Sequence, residues 1–214
     1  ALSTKGGHNR CGVMRGVLER APLRACAAAK VVGDFVKCSH HNTKRYQRLT
    51  LSPHVVDQVA VLLGRPPRGL EEIAVTGPAG EPLVIRVASL VDDRPFPTLF
   101  WLLDPALCYR IDQLEAAGLI KQLQQRIDAD PDLQRSMRDD HLAHIALRDR
   151  YMPALIRLRL QELGFADALV NKGIGGIADF TRIRCLHTWY GAHLVVANTV
   201  GGLLDDWWRQ YTTA

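Results

Sequence analysis

Apolar and polar residues alternate with two different periods along this chain, and the switch between them divides it. From Leu51 the spacing is helical: Ser52 can cap, Pro53 can fill the first helical position, and Val55, Val56, Val59, Ala60, Leu62 and Leu63 form one stripe before Gly64. Leu70–Thr76 and Leu83–Leu90 then alternate with period two around Gly77-Pro78-Ala79-Gly80, which predicts a β-hairpin. Thr98–Leu103 is almost wholly apolar and predicts a central strand covered on both faces. From Asp104 onward the period is helical to the end. Asp104-Pro105 opens one helix, Leu119–Ile127 forms a short second, and Asp130-Pro131 opens a third running through Met137, His141, His144 and Leu147. Pro153 ends it, and a further exposed helix closes at Gly164. The expected fold class is α+β, a small antiparallel sheet (hairpin plus a third strand) packed against a larger set of helices.

Residues 1–50 follow neither period. They hold ten Lys/Arg against two acids, whereas residues 51–214 hold seventeen against twenty. The net charge of +5 therefore belongs to a basic N-terminal arm, and residues 51–214 form the single expected domain. Arginine-rich, acid-poor composition fits a disordered tail, a translated leader or an organelle transit peptide. Charge gives the domain no case for nucleic-acid binding. No apolar run approaches the length of a membrane span. Five cysteines, three of them in the arm, form no disulfide framework, so a reducing cytoplasm is expected. In the arm, Cys38, His40 and His41 lack a fourth partner at metal-ligand spacing.

Reactive residues concentrate between Gly173 and Trp208. Gly173-Ile174-Gly175-Gly176 lacks a phosphate-loop fingerprint. Its amides, with Arg184 downstream and Arg65 and Arg68 closing from the Pro66-Pro67 loop, could still bind a small anion; a tight turn needing positive φ explains it equally. Cys185, His187 and His193 are the candidate catalytic groups. On an ideal helix His187 is rotated about 200° from Cys185, so the two can share a ligand only if the helix begins beside them. The alternative is a buried thiol and a hydrogen-bonded core histidine. His141 and His144, at i, i+3, could hold a divalent metal with Asp104 or His187 completing the set across the fold, or lie on a solvated polar face. Trp207 and Trp208, beside Asp205 and Asp206, read as a lid on the core, with one indole turned outward as a possible surface for a protein partner.

Six motifs occur in one order: Gly64-Arg65-Pro66-Pro67-Arg68-Gly69, Phe96-Pro97-Thr98 to Trp101-Leu102, Leu114-Glu115 with Gly118, Cys185-Leu186-His187, Asn198 with Val200-Gly201, and Trp207-Trp208. Together, over residues 55–208, they resemble the bacterial family of unknown function numbered five hundred and one. The resemblance implies a bacterial cytoplasmic protein and no settled activity. It also implies departures. Val75-Thr76-Gly77-Pro78 and Asp104 stand where many members carry cysteines, Thr199 where proline is common, and Trp189 where a histidine is common. If relatives hold zinc through those cysteines, this chain keeps little of that set. Two functions follow: a small enzyme or metal-binding protein with a Cys/His site and an arginine-lined anion pocket, or a non-catalytic interaction module whose Cys and His serve packing.

Overall fold

The computed structural model describes residues 51–212, and the basic arm with its histidines lies outside them. Helix α1 (Pro53–Leu63) starts at Ser52, whose hydroxyl accepts from the Val55 amide, and stops at Gly64 with φ 66°. Strands β1 (Leu70–Thr76) and β2 (Pro82–Val87) pair antiparallel, and the turn closes through the Gly77 amide donating to the Glu81 carbonyl at 2.8 Å. A short hairpin, β3 (Leu90–Val91) and β4 (Arg94–Pro95), leads to β5 (Phe100–Leu102).

The sheet order is β1-β2-β5, which corrects one expectation. The apolar run at Thr98–Leu103 is an edge strand, and β2 is central. Its both-sided apolarity has a simple cause: Phe100 and Leu102 face the main core while Trp101 and Leu103 face a smaller one. β2 divides likewise, with Val84 in the main core and Ile85 in the smaller one, both essentially inaccessible. Helix α1 covers the smaller cluster through Val59, Leu62 and Leu63. The main core is built by the helices that follow: α2 (Pro105–Ala116), α3 (Leu119–Ala129), α4 (Pro131–Tyr151), α6 (Leu186–His193) and α7 (Thr199–Thr212), with α5 (Ala154–Glu162) outside it. The α+β class is as the sequence predicts.

Two helices matter for the site. α6 lies on β5, and a side chain at Gly191 would press on the Leu102 amide at 3.1 Å, so glycine lets the two elements lie this close without adjustment. α7 begins before Gly201-Gly202, and the Asn198 side chain caps it by accepting from the Gly201 amide at 2.8 Å. No helix among the described residues is long and apolar enough to cross a membrane.

Candidate functional site

The chain reaches α6 through a tightly held turn. Gly175 and Gly176 take φ values of 62° and 72°, and added Cβ atoms would approach Thr188 and Pro97 to 2.7 and 2.8 Å. Both glycines serve the turn. Gln124 of α3 then fixes the approach, accepting from the Ile183 amide and donating to the Thr181 carbonyl, each at 2.9 Å. The helix begins at Leu186, so Cys185 sits at the N-cap position in extended backbone, φ −146°. That start releases Cys185 from the helical rotation and allows it to meet His187.

The thiol Sγ lies 3.6 Å from His187 Nδ1. The Glu115 carboxylate of α2 arrives from the other side: its Oε1 accepts from the Leu186 amide at 2.6 Å and lies 3.4 Å from the same Nδ1. Donor atoms of Glu115, Cys185 and His187 all fall within 4.8 Å of one another. The opposite ring nitrogen, Nε2, lies 3.2 Å from the Cys108 carbonyl and 3.3 Å from Asp112 Oδ1. A carbonyl only accepts, so Nε2 carries the hydrogen, and the Nδ1 lone pair of the neutral ring faces a thiol sulfur and a carboxylate. A thiol hydrogen pointed at Nδ1 would settle one of these contacts, and a cation between the donors would settle all three. A proton supplies one: the Cys185 sulfur, followed by the charges of Cys185 and Glu115, raises the His187 pKa to about 9 against the opposing effect of burial. A metal ion would serve all three donors. The site is half-buried at the protein surface, with the Asp112 carboxylate at its rim. Burial, then the nearby Asp112 carboxylate, raises the Cys108 thiol pKa.

The other expected site residues lie elsewhere. His193 has both nitrogens engaged: Nδ1 accepts from the Asn198 amide at 3.0 Å and Nε2 donates to Asp205 at 3.1 Å. Tyr190 donates to the other oxygen of Asp205 at 3.0 Å. This network joins α6 to α7 and leaves His193 outside the Cys185 cluster. Arg65 lies over the Trp101 ring at 5.1 Å, and Arg68 pairs with Asp92 at 2.8 Å. Trp101 belongs to the smaller core, whereas α6 packs on the other face of the sheet, so β5 separates the Arg65/Arg68 loop from His187. An anion pocket uniting them does not form. Arg184 is exposed and outside the metal-ligand cluster.

His141 and His144 share a face, but it is buried rather than solvated, and Asp104 does not join them. His141 is wholly buried, accepts from the Ile174 amide at 3.0 Å and stacks on Phe180. Burial lowers its pKa to about 4 and that of His144 to about 3, so both rings are neutral. Asp104 caps α2 by accepting from the Leu107 amide at 2.6 Å. The three do not converge, and among the described residues the one grouping with metal-ligand spacing is Glu115, Cys185 and His187. Trp207 and Trp208 are both half-buried against the main core, with Trp208 edge-on to Tyr190 and beneath Arg110 at 4.2 Å.

Sequence reasoning passed over Glu115, Asp112 and Cys108 as site residues. Glu115 was visible only as part of the Leu114-Glu115 motif, since nothing in spacing alone brings α2 to the start of α6. No curated protein and no solved structure is significantly similar to the chain. A family model described as "Protein of unknown function (DUF501)" matches residues 73–206, which include the whole cluster, and the chain belongs to that family.

Proposed function

We propose that Glu115, Cys185 and His187 hold a divalent metal ion, with zinc the best fit to the donor set. The observation that carries this is the spacing of the donors. A tetrahedral zinc with ordinary bond lengths separates a thiolate sulfur from an imidazole nitrogen by about 3.5 Å, and the nitrogen from a carboxylate oxygen by about 3.4 Å. The corresponding separations are 3.6 and 3.4 Å. The outer contacts agree: a ligating histidine ordinarily donates its other N–H to a carbonyl or carboxylate, as Nε2 does toward Cys108 and Asp112. Three protein ligands leave a fourth position for water or substrate, the pattern of catalytic rather than structural zinc. A small metal-dependent enzyme of a reducing, bacterial cytoplasm is the reading this supports, with residues 51–214 as its working domain. Elemental analysis of the purified protein tests it. About one equivalent of zinc, lost in Cys185→Ser, is expected; absence of any tightly bound metal after growth in zinc-supplemented medium would end it.

One observation favours a second reading. With a proton in place of metal, His187 and Cys185 form an imidazolium–thiolate pair, oriented by Asp112 on the far nitrogen, which is the arrangement of a nucleophilic cysteine. In that case metal-free native protein treated with iodoacetamide is alkylated at Cys185 faster than at Cys108. Equal or slower reaction rejects the nucleophile.

A further inference from the structure

Charge around the Cys185 cluster is of one sign. A divalent ion would be balanced by a Cys185 thiolate and the Glu115 carboxylate, and a neutral His187 adds nothing, so metal and ligands together are uncharged. What remains is the Asp112 carboxylate, 67% exposed at the rim and 3.3 Å from His187 Nε2. Among the described residues no lysine or arginine lies within salt-bridge distance of Asp112 or Glu115. The charges that act on His187 and Cys108 are those of Cys185, Glu115, Asp112 and Asp104, all of them acidic groups. Arg65 and Arg68 are held across β5, over Trp101 and on Asp92. Arg184, next to Cys185 in the chain, is exposed and pairs with neither carboxylate of the site.

Resting on the metal reading of the cluster, we propose that its open position takes a small cationic ligand, an ammonium compound whose donor atom sits on the metal while its positive group faces Asp112. Phosphorylated and carboxylated compounds are the disfavoured class. The imidazole ring sets the span. A metal at ordinary bonding distance from Nδ1 lies no more than about 8 Å from the Asp112 carboxylate on the far nitrogen. Because that carboxylate is exposed, the dielectric of water is the appropriate weak limit. Even so, attraction and repulsion across that span together separate a singly positive from a singly negative group by about fivefold at low ionic strength. Asp112 thus does more than orient His187: it selects the charge of what the metal receives.

The test uses the full chain loaded with cobalt(II), whose bond to a thiolate gives a charge-transfer absorption and whose visible bands respond to a new ligand. Three thiols of similar size are titrated in at low ionic strength: thiocholine, 2-mercaptoethanol and 2-mercaptoethanesulfonate. Each carries its sulfur two carbons from a group that is positive, neutral or negative. The thiols also differ in acidity, so each Kd is compared with the same measurement in Asp112→Asn, with loading confirmed by the same bands. The preference for thiocholine over mercaptoethanesulfonate should be larger in the wild type by about fivefold or more, with mercaptoethanol between them. Asp112→Glu, which keeps the charge, should keep most of that preference. The same preference in wild type and Asp112→Asn overturns the proposal, as does a cobalt-loaded protein whose spectrum none of the three thiols changes. Failure of the metal reading itself looks different: cobalt then gives no charge-transfer band that is lost in Cys185→Ser, before any thiol is added.

Discussion

The buried histidines of α4 make stability depend on pH in a way that one substitution can isolate. His144 is neutral in the fold, with its pKa lowered from 6.5 to about 3, first by burial and then by the Arg148 guanidinium and His141. In the unfolded chain the ring titrates at its ordinary value. Below that value the unfolded state therefore binds a proton that the folded state refuses, and stability falls as the pH drops. Between ~pH 7.5 and ~pH 5 one such group removes about 2 kcal/mol from the unfolding free energy. Other titrations overlap it: His141 acts in the same direction, while His187, whose folded pKa is raised to about 9, contributes stability that is full below 6.5 and lost as the pH rises through 9. The difference between wild type and His144→Gln removes both, because they are present in each protein. Urea unfolding of the pair at the two pH values measures it. Glutamine does not titrate, so whatever the substitution costs at the higher pH, about 2 kcal/mol of it should be recovered at the lower. A gap that stays constant within about 0.5 kcal/mol between the two pH values would mean that His144 is not held neutral by burial.

Three more expectations are direct. Gly173→Ala places a methyl on the His141 ring and disturbs the Ile174 amide bond to it; overpacking of about 1–3 kcal/mol should lower the melting temperature by roughly 3–10 °C, and an unchanged melt contradicts the close contact. Glu115→Gln should weaken zinc binding by at least about tenfold in chelator competition, and Asp112→Asn by a comparable or smaller factor through His187; equal affinity in both variants removes these residues from the site. Deleting residues 1–50 should leave the melting temperature of the remaining domain within a few degrees, since the charge split assigns that segment no part in the core; a fall of more than about ten degrees would show otherwise.

Patterning on its own determined the fold class and most of the longer elements, though not the short β3–β4 hairpin. Ser52-Pro53, Asp104-Pro105 and Asp130-Pro131 each start a helix as their cap chemistry requires, because a cap is a local hydrogen bond between residues two or three apart. The hairpin turn and the positive φ of Gly64, Gly175 and Gly176 are local in the same sense. The pairing of Cys185 with His187 was legible up to one condition, that the helix begin beside them, and Gln124, Glu115 and the glycine turn meet that condition from separate parts of the chain. What spacing could not supply was convergence. Glu115, seventy positions before Cys185 in the chain, joins it only because α2 and α6 pack on one face of the sheet. The same sheet keeps Arg65 and Arg68 away from them, because α1 and the loop after it pack on the opposite face. His141 and His144 show the limit most plainly. Their i, i+3 spacing correctly places them on one face of α4, but burial decides whether that face is wet or dry. Burial belongs to the tertiary structure alone, since it depends on Ile174, Phe180 and Trp189 arriving from elsewhere in the chain.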